Sequence, residues 1–178
     1  MSSVVISGDT SGAITLSAPA VAGTNTATLP AATGTVMVSG NMPAFSAYLS
    51  SSQSISGNTW TKIQCNTKEF DTNSNYDNAT NYRFTPTVAG YYQIVVGFGQ
   101  NVTGGTLSLM AIYKNGSAYK YGTAVTTFSG SVNMTCLVFM NGSTDYVEAY
   151  GFISGASGFQ FNGGQANTYF QAAMIRTA

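Results

Sequence analysis

The sequence predicts an all-β protein of about ten strands, a sandwich or jelly roll, preceded by a short-strand N-terminal segment. Three observations predict it. No stretch of the 178 residues carries the helical period, whereas short β-branched and aromatic runs recur between turn residues. Asn115-Gly116 and Asn141-Gly142 each sit between apolar runs, the strongest short hairpin signal. The run from Phe84 to Val96 reads as strand, corner and strand. Within it Pro86 cannot donate to a ladder, Gly90 releases the chain from the turn, and Tyr91 begins a buried strand.

Residues 1–43 are expected to form one segment and residues 44–178 the globular head. The first 40 residues hold no Trp, Tyr or Phe, and one charge, Asp9. Alternating pieces at 4–6, 13–16, 24–29 and 35–38 read as strands separated by Gly, Pro or Ser. So few large apolar groups cannot bury a core, so the segment must pack against its own copies or against another protein. Val4, Ile6, Ile14, Leu16, Val21, Leu29 and Val36 are its candidate contacts. A linker would gain nothing from such periodic apolar residues.

In the head, strands are expected at 44–50, 59–63, 69–70, 81–84, 91–99, 107–114, 118–126, 132–140, 145–153, 159–161 and 168–175. Residues 59–63 and 69–70 flank a short hairpin-like region. Residues 51–57 and 71–78 are polar loops.

Hydrophobic residues are 44% of the chain, enough for a core, but charged residues only 7%, against about 25% in an average soluble domain. A surface of neutral polar side chains suits dense β packing and large subunit contacts. The net charge is zero with no basic stripe, so nucleic acid is not an expected partner. No window reaches the ~18 apolar residues of a membrane span. Residues 1–6 lack the charged and apolar regions of a signal peptide, so synthesis in the cytosol is expected. Cys65 and Cys136 read as small hydrophobes rather than a disulfide, although pairing stays open.

Catalytic chemistry finds little to work with. There is no histidine, which removes the usual triad base and the commonest metal ligand, and two cysteines cannot build a structural zinc site. No enzyme activity and no cofactor are expected. Glu69, Asp71 and Asp77 are close enough in sequence to share a loop and are candidate calcium ligands; turn capping by Asp and Asn is the favoured alternative. Tyr76, Tyr119 and Tyr121 are candidate contacts for a glycan, with packing inside the sheet or at a subunit seam as the alternative.

Several motifs, in order, resemble the globular head of complement component 1q. They are Ala44-Phe45-Ser46-Ala47-Tyr48, Phe70-Asp71, Asn75-Tyr76-Asp77, the corner from Arg83 to Tyr92, the Lys114-Asn115-Gly116 strand end, residues 141–147, and Thr168-Tyr169-Phe170-Gln171. Gln171 replaces a family glycine, and Asp145 lies two residues further from its glycine than in the family. Residues 6–36, including Ile6-Ser7-Gly8-Asp9, Ala18-Pro19-Ala20 and Leu29-Pro30-Ala31, are similar to a module of tailed-phage fibres and virion proteins. These resemblances imply a tumour-necrosis-factor-like jelly roll assembled as a homotrimer. They further imply a virion protein made in the host cytoplasm, attached to capsid or tail proteins through residues 1–40. The head would then bind a host-surface glycan or protein; capsid decoration is the alternative role.

Overall fold

The computed structural model describes residues 3–28, 31–34, 36–101, 107–126, 129–155 and 158–178. The chain divides into two compact units, 1–34 and 35–178.

In the first unit, β1 (Ser3–Ser7) and β2 (Ala13–Ser17) form an antiparallel hairpin. The turn closes with the Gly8 amide donating to the Gly12 carbonyl at 3.0 Å, and Gly12 takes a φ of 77°. The register pairs Val4 with Leu16 and Ile6 with Ile14. Side chains alternate across a strand, so these four share one face. Every residue of the hairpin is exposed. The strands expected at 24–29 and 35–38 do not form among the described residues. A strand needs a neighbouring edge for its amides and carbonyls, and the described residues of these pieces meet none.

The second unit opens with a 3-10 turn, Ser39–Asn41, and continues through β3 (Ala44–Tyr48), β4 (Gln53–Ser54), β5 (Thr61–Lys62), β6 (Thr67–Asp71), β7 (Tyr76–Asp77) and β8 (Arg83–Phe84). It is completed by β9 (Gly90–Asn101), β10 (Leu107–Lys114), β11 (Ser117–Tyr121), β12 (Ser129–Met140), β13 (Val147–Ser154), β14 (Gln160–Phe161) and β15 (Tyr169–Thr177). One sheet has the order β12-β9-β15-β3-β6. The other runs β11-β10-β13-β8-β7, with β5 also paired to β13. A short β14-β4 pair stands apart. No helix among the described residues is long and apolar enough to cross a membrane.

Strict alternation fills the space between the sheets. Tyr92, Ile94, Val96 and Phe98 of β9 are fully buried, as are Met110 and Ile112 of β10. Phe45 is the centre of an aromatic stack, with its ring 4.4 Å from Tyr76, 4.7 Å from Phe84 and 5.0 Å from Phe170. The Pro86 corner lies beside this stack and carries the chain from one sheet to the other, between β8 and β9. The Tyr92 hydroxyl, 2.7 Å from the Val88 carbonyl, holds the corner by donating to it. β8 is only two residues long, so the strand entering the corner is shorter than the sequence suggests.

The two Asn-Gly signals have different outcomes. Asn115 (φ 53°) and Gly116 (φ 80°) make the tight turn of the β10–β11 hairpin, as expected. Asn141-Gly142 makes no hairpin, because β12 and β13 belong to different sheets. Its Asn141 Oδ1 accepts the amides of Ser143, Thr144 and Asp145 at 3.0 Å each. A Cβ on Gly142 would lie 2.3 Å from the Ala89 amide nitrogen, so the loop is wedged under the Pro86 corner. The region between β5 and β6 is likewise a crossing between sheets and not a hairpin. β4 and β7 were not anticipated; two-residue strands carry too little pattern to read.

Asp145 ties the two Asn-Gly loops together. It pairs with Lys114 at 2.8 Å and accepts from the Asn115 side chain at 2.8 Å and the Asn141 amide at 3.1 Å. The Lys114 and Asn115 hydrogen bonds hold its carboxyl below the usual carboxylate range. In the 77–81 loop, amides of Thr80 and Ala79 do the same to Asp77. A depressed folded-state value means stability that is present above the ordinary value of 3.8 and is lost as pH falls below it. Thermal melts should therefore drop steeply below pH 4. Asp145→Asn should be less stable at neutral pH and flatten that acid limb; an unchanged limb would remove Asp145 from this role.

Both cysteines are free, so the structure contains no disulfide between them. Cys65 is fully buried, and burial pushes its thiol up to about 12. It acts as a small core hydrophobe.

Candidate functional site

The sandwich has two outward faces of different chemistry. On the five-stranded sheet, residues that alternate with the core positions face away from it. Cross-strand register aligns Phe70, Ser46, Gln171, Val95 and Thr135 in one row. The next row holds Ala44, Ala173, Gln93 and Leu137, and beyond it Tyr91 faces Phe139 with rings 5.4 Å apart. None of these residues is charged. Leu137 is 60% exposed and Phe70 51%.

A shallow groove of about 270 Å³ runs across this face between Phe70, Val95 and Ala173. Its polar edge is a hydrogen-bonded chain. Gln165 and the Ser46 hydroxyl both donate to the Glu69 carboxylate, and Gln171 donates to the Ser46 hydroxyl at 3.0 Å. Gln171, the departure from the family glycine, thus fills space on this face and fixes Ser46.

The candidate calcium ligands are not brought together. Glu69 belongs to the chain just described. Asp71 accepts the amides of Asn75 at 2.9 Å and Tyr76 at 3.1 Å and pairs with Lys68 at 3.2 Å. Asp77 caps its own loop, accepting amides of Ala79, Thr80 and Asn81 at 3.0 Å each. Among the described residues no group of three or more His, Cys, Asp or Glu side chains is placed to hold a metal ion. Asp71 and Asp77 are spent on local turn geometry, and Glu69 on partners distant in sequence.

The three candidate tyrosines also part company. Tyr76 is corrected: it is 3% exposed, stacked on Phe45, with its hydroxyl donating to the Cys65 carbonyl at 2.9 Å. It lies in a loop-like stretch, but β7 turns it into the core. Tyr119 and Tyr121 are exposed on the edge strand β11. Tyr119 stands beside Lys120, whose Nζ is 5.5 Å from its ring.

Tyr121 is part of a larger patch on the outer face of the six-stranded sheet. Register places it opposite Ala111, which in turn faces Tyr150, and Tyr150 faces Lys62. Ala111 is fully buried, yet it lies on the strand face away from Met110 and Ile112. Trp60 leans over this row, its ring 5.5 Å from Tyr121, 5.5 Å from Phe152 and 6.5 Å from Tyr113. Tyr113 and Tyr150 are 3.9 Å apart. At the margin Lys62 pairs with Glu148 at 2.5 Å and donates to the Asn81 carbonyl at 3.1 Å. Burial pushes the Tyr150 phenol up to about 12 and raises that of Tyr113. The sequence reading missed this cluster. Only cross-strand register shows that Tyr113, Tyr121 and Tyr150 share a face with Phe152.

Of the candidate attachment residues, the hairpin brings Val4, Ile6, Ile14 and Leu16 onto one face. Val21 and Val36 are exposed outside any strand, and Leu29 lies outside the described residues.

Comparison with known proteins identifies the head's fold. Eiger TNF from S. frugiperda superposes with a TM-score of 0.59 at 8% identity, covering 77% of this chain and 93% of that one. The globular domain of zebrafish complement 1qA protein gives 0.55 at 17% identity, covering 76% of this chain and 99% of that one. Murine APRIL gives 0.55 at 9% identity, covering 75% and 99%. The head is a tumour-necrosis-factor-like jelly roll. At these identities the likeness is one of fold. No protein-family model and no curated protein matches the chain. Within this jelly roll, β12-β9-β15-β3-β6 forms the sheet with the grooved outer face, where Glu69 and Arg176 stand at the margins, and the aromatic patch lies on the outer face of the other sheet.

Proposed function

We propose that the chain is the protomer of a homotrimeric, non-enzymatic structural protein of a phage virion. In this reading it is a short fibre. The N-terminal segment attaches to capsid or tail proteins, and the jelly-roll head faces outward and adheres to the host surface. The observation that carries the assembly is the outer face of the five-stranded sheet. It exposes Leu137, Phe70, Phe139 and Tyr91, with charge only at its margins, at Glu69 beside Ser46 and at Arg176 beside Tyr91. A face of exposed apolar side chains among neutral polar ones supports burial against another copy. The jelly-roll fold and the resemblance to the trimeric heads support the threefold form.

The hairpin supports attachment. A two-stranded hairpin is marginal alone in water, and the Val4, Ile6, Ile14 and Leu16 face is exposed within its own unit. A partner surface that buries those four side chains would complete it. The similarity of residues 6–36 to the phage-fibre module supports a virion protein as that partner.

One observation favours the second reading, capsid decoration. The N-terminal strands are five residues each and fold back on one another, so the hairpin is only about 17 Å long. A device of that length suits gripping a shell better than spanning a stalk.

The test is the mass of the purified full chain by light scattering, followed by its addition to cells before particles. The fibre reading expects three copies of the 18.5 kDa chain and reduced particle adsorption. A trimer that leaves adsorption intact, whose loss from particles makes shells heat-labile, would replace adhesion with decoration. A monomer would overturn the assembly.

A further inference from the structure

The geometry points to the Trp60 patch as a binding platform for neutral glycans. This rests on the reading of the head as the outward, host-facing part of the particle. A sugar ring offers apolar C–H faces and a rim of hydroxyls; it binds where aromatic faces are flanked by hydrogen-bonding groups. Trp60 is within 5.5 Å of Tyr121 and Phe152 and 6.5 Å of Tyr113, so the four rings form one continuous surface. Tyr121 is 64% exposed at its edge.

The hydroxyls separate this patch from a packed core cluster. In the core, Tyr76 and Tyr92 each donate to a backbone carbonyl, of Cys65 and Val88. Those of Tyr113, Tyr121 and Tyr150 make no hydrogen bond to another described residue. Tyrosine phenols are protonated at neutral pH, so Tyr113 and Tyr150 can donate to a ligand's hydroxyls as well as accept from them.

Charge selects the class of ligand. Lys62, the cation beside Tyr150, is neutralised by Glu148 at 2.5 Å, and Arg83, opposite Glu148 in register, is folded over the Tyr146 ring at 4.4 Å. Stacking rings without a free cationic groove do not suit nucleic acid or an acidic polysaccharide. They suit an uncharged one. The patch also lies on the sheet opposite the proposed assembly face, so trimer formation leaves it open.

Trp60 is the only tryptophan in the chain, so its fluorescence reports the site directly. Full-length protein would be titrated with cellotetraose, maltotetraose, galactotetraose and chitotetraose up to about 50 mM, a range that captures weak sugar binding. The expected result is a saturable change in emission with at least one of them, and about tenfold weaker binding by Tyr121→Ala. Tyr121 is exposed, so that variant should keep the parent's urea midpoint. No saturable change with any of the four would overturn the inference, as would equal binding by folded Tyr121→Ala. The adsorption assay separates the two ideas. Blocked adsorption without a sugar response sinks the glycan platform alone. A sugar response without any effect on adsorption sinks the adhesion reading alone.

Discussion

Phe45→Ala is expected to lower the stability of the head by about 3–5 kcal/mol, a large part of the 5–15 kcal/mol that holds a typical domain folded. Phe45 is 1% exposed and touches Tyr76, Phe84 and Phe170, which come from both sheets. Its removal leaves a hole bounded by rigid rings, which cannot collapse to fill it. The stack also lies beside the Pro86 corner through Tyr92, 5.5 Å from Phe84, so loosening it frees the crossing between sheets. The urea midpoint of the variant should fall sharply, with Phe45→Leu in between and Tyr119→Ala within about 0.5 kcal/mol of the parent. A Phe45→Ala midpoint equal to the parent's would show that the stack is not the keystone of the core.

Leu137→Asp should turn the proposed trimer into single chains without unfolding the head. Leu137 is 60% exposed on β12, opposite Gln93, and its neighbour Phe139 packs on Tyr91. In the isolated head the new carboxylate sits in water and costs little. In an assembly that buries this face it would place one unpaired charge per protomer in an apolar contact, at about 3–5 kcal/mol each. Light scattering should give the mass of one chain, with the far-UV spectrum unchanged. A mass that stays at three chains would move the contact to another surface.

The head's architecture was legible because strands that pack between two sheets need β-branched and aromatic runs bounded by turn residues. The runs from Tyr91, from Leu107 and from Val132 are of this kind, and each is a long strand in the structure. The Asn115-Gly116 hairpin was legible for a local reason: both residues must take positive φ, and that chemistry is written in the pair itself. Asn141-Gly142 carries the same letters and makes a crossing between sheets. What decides it is not local, because the loop is wedged against Val88 and Ala89, more than fifty residues earlier in the chain.

The candidate site was legible only in part, for the same reason. Tyr76 and Tyr121 both have polar neighbours in sequence, yet β7 turns one into the core and β11 leaves the other at an open edge. Trp60, Tyr113, Tyr150 and Phe152 are spread over more than ninety residues, and no spacing links them. Glu69, Asp71 and Asp77 are near in sequence, but each turns to a different set of donors, local ones for the two aspartates and the distant Gln165 for Glu69. By itself the sequence determined an all-β head, its long strands, the aromatic content of its core and a weakly charged surface. These follow from composition and from apolar runs bounded by turn residues, which need no partner to be read. The tertiary structure alone decided which strands share a sheet, which face exposes Leu137 and Phe70 and which rings meet above Ala111. Those depend on register, and register is settled by burying all the strands at once.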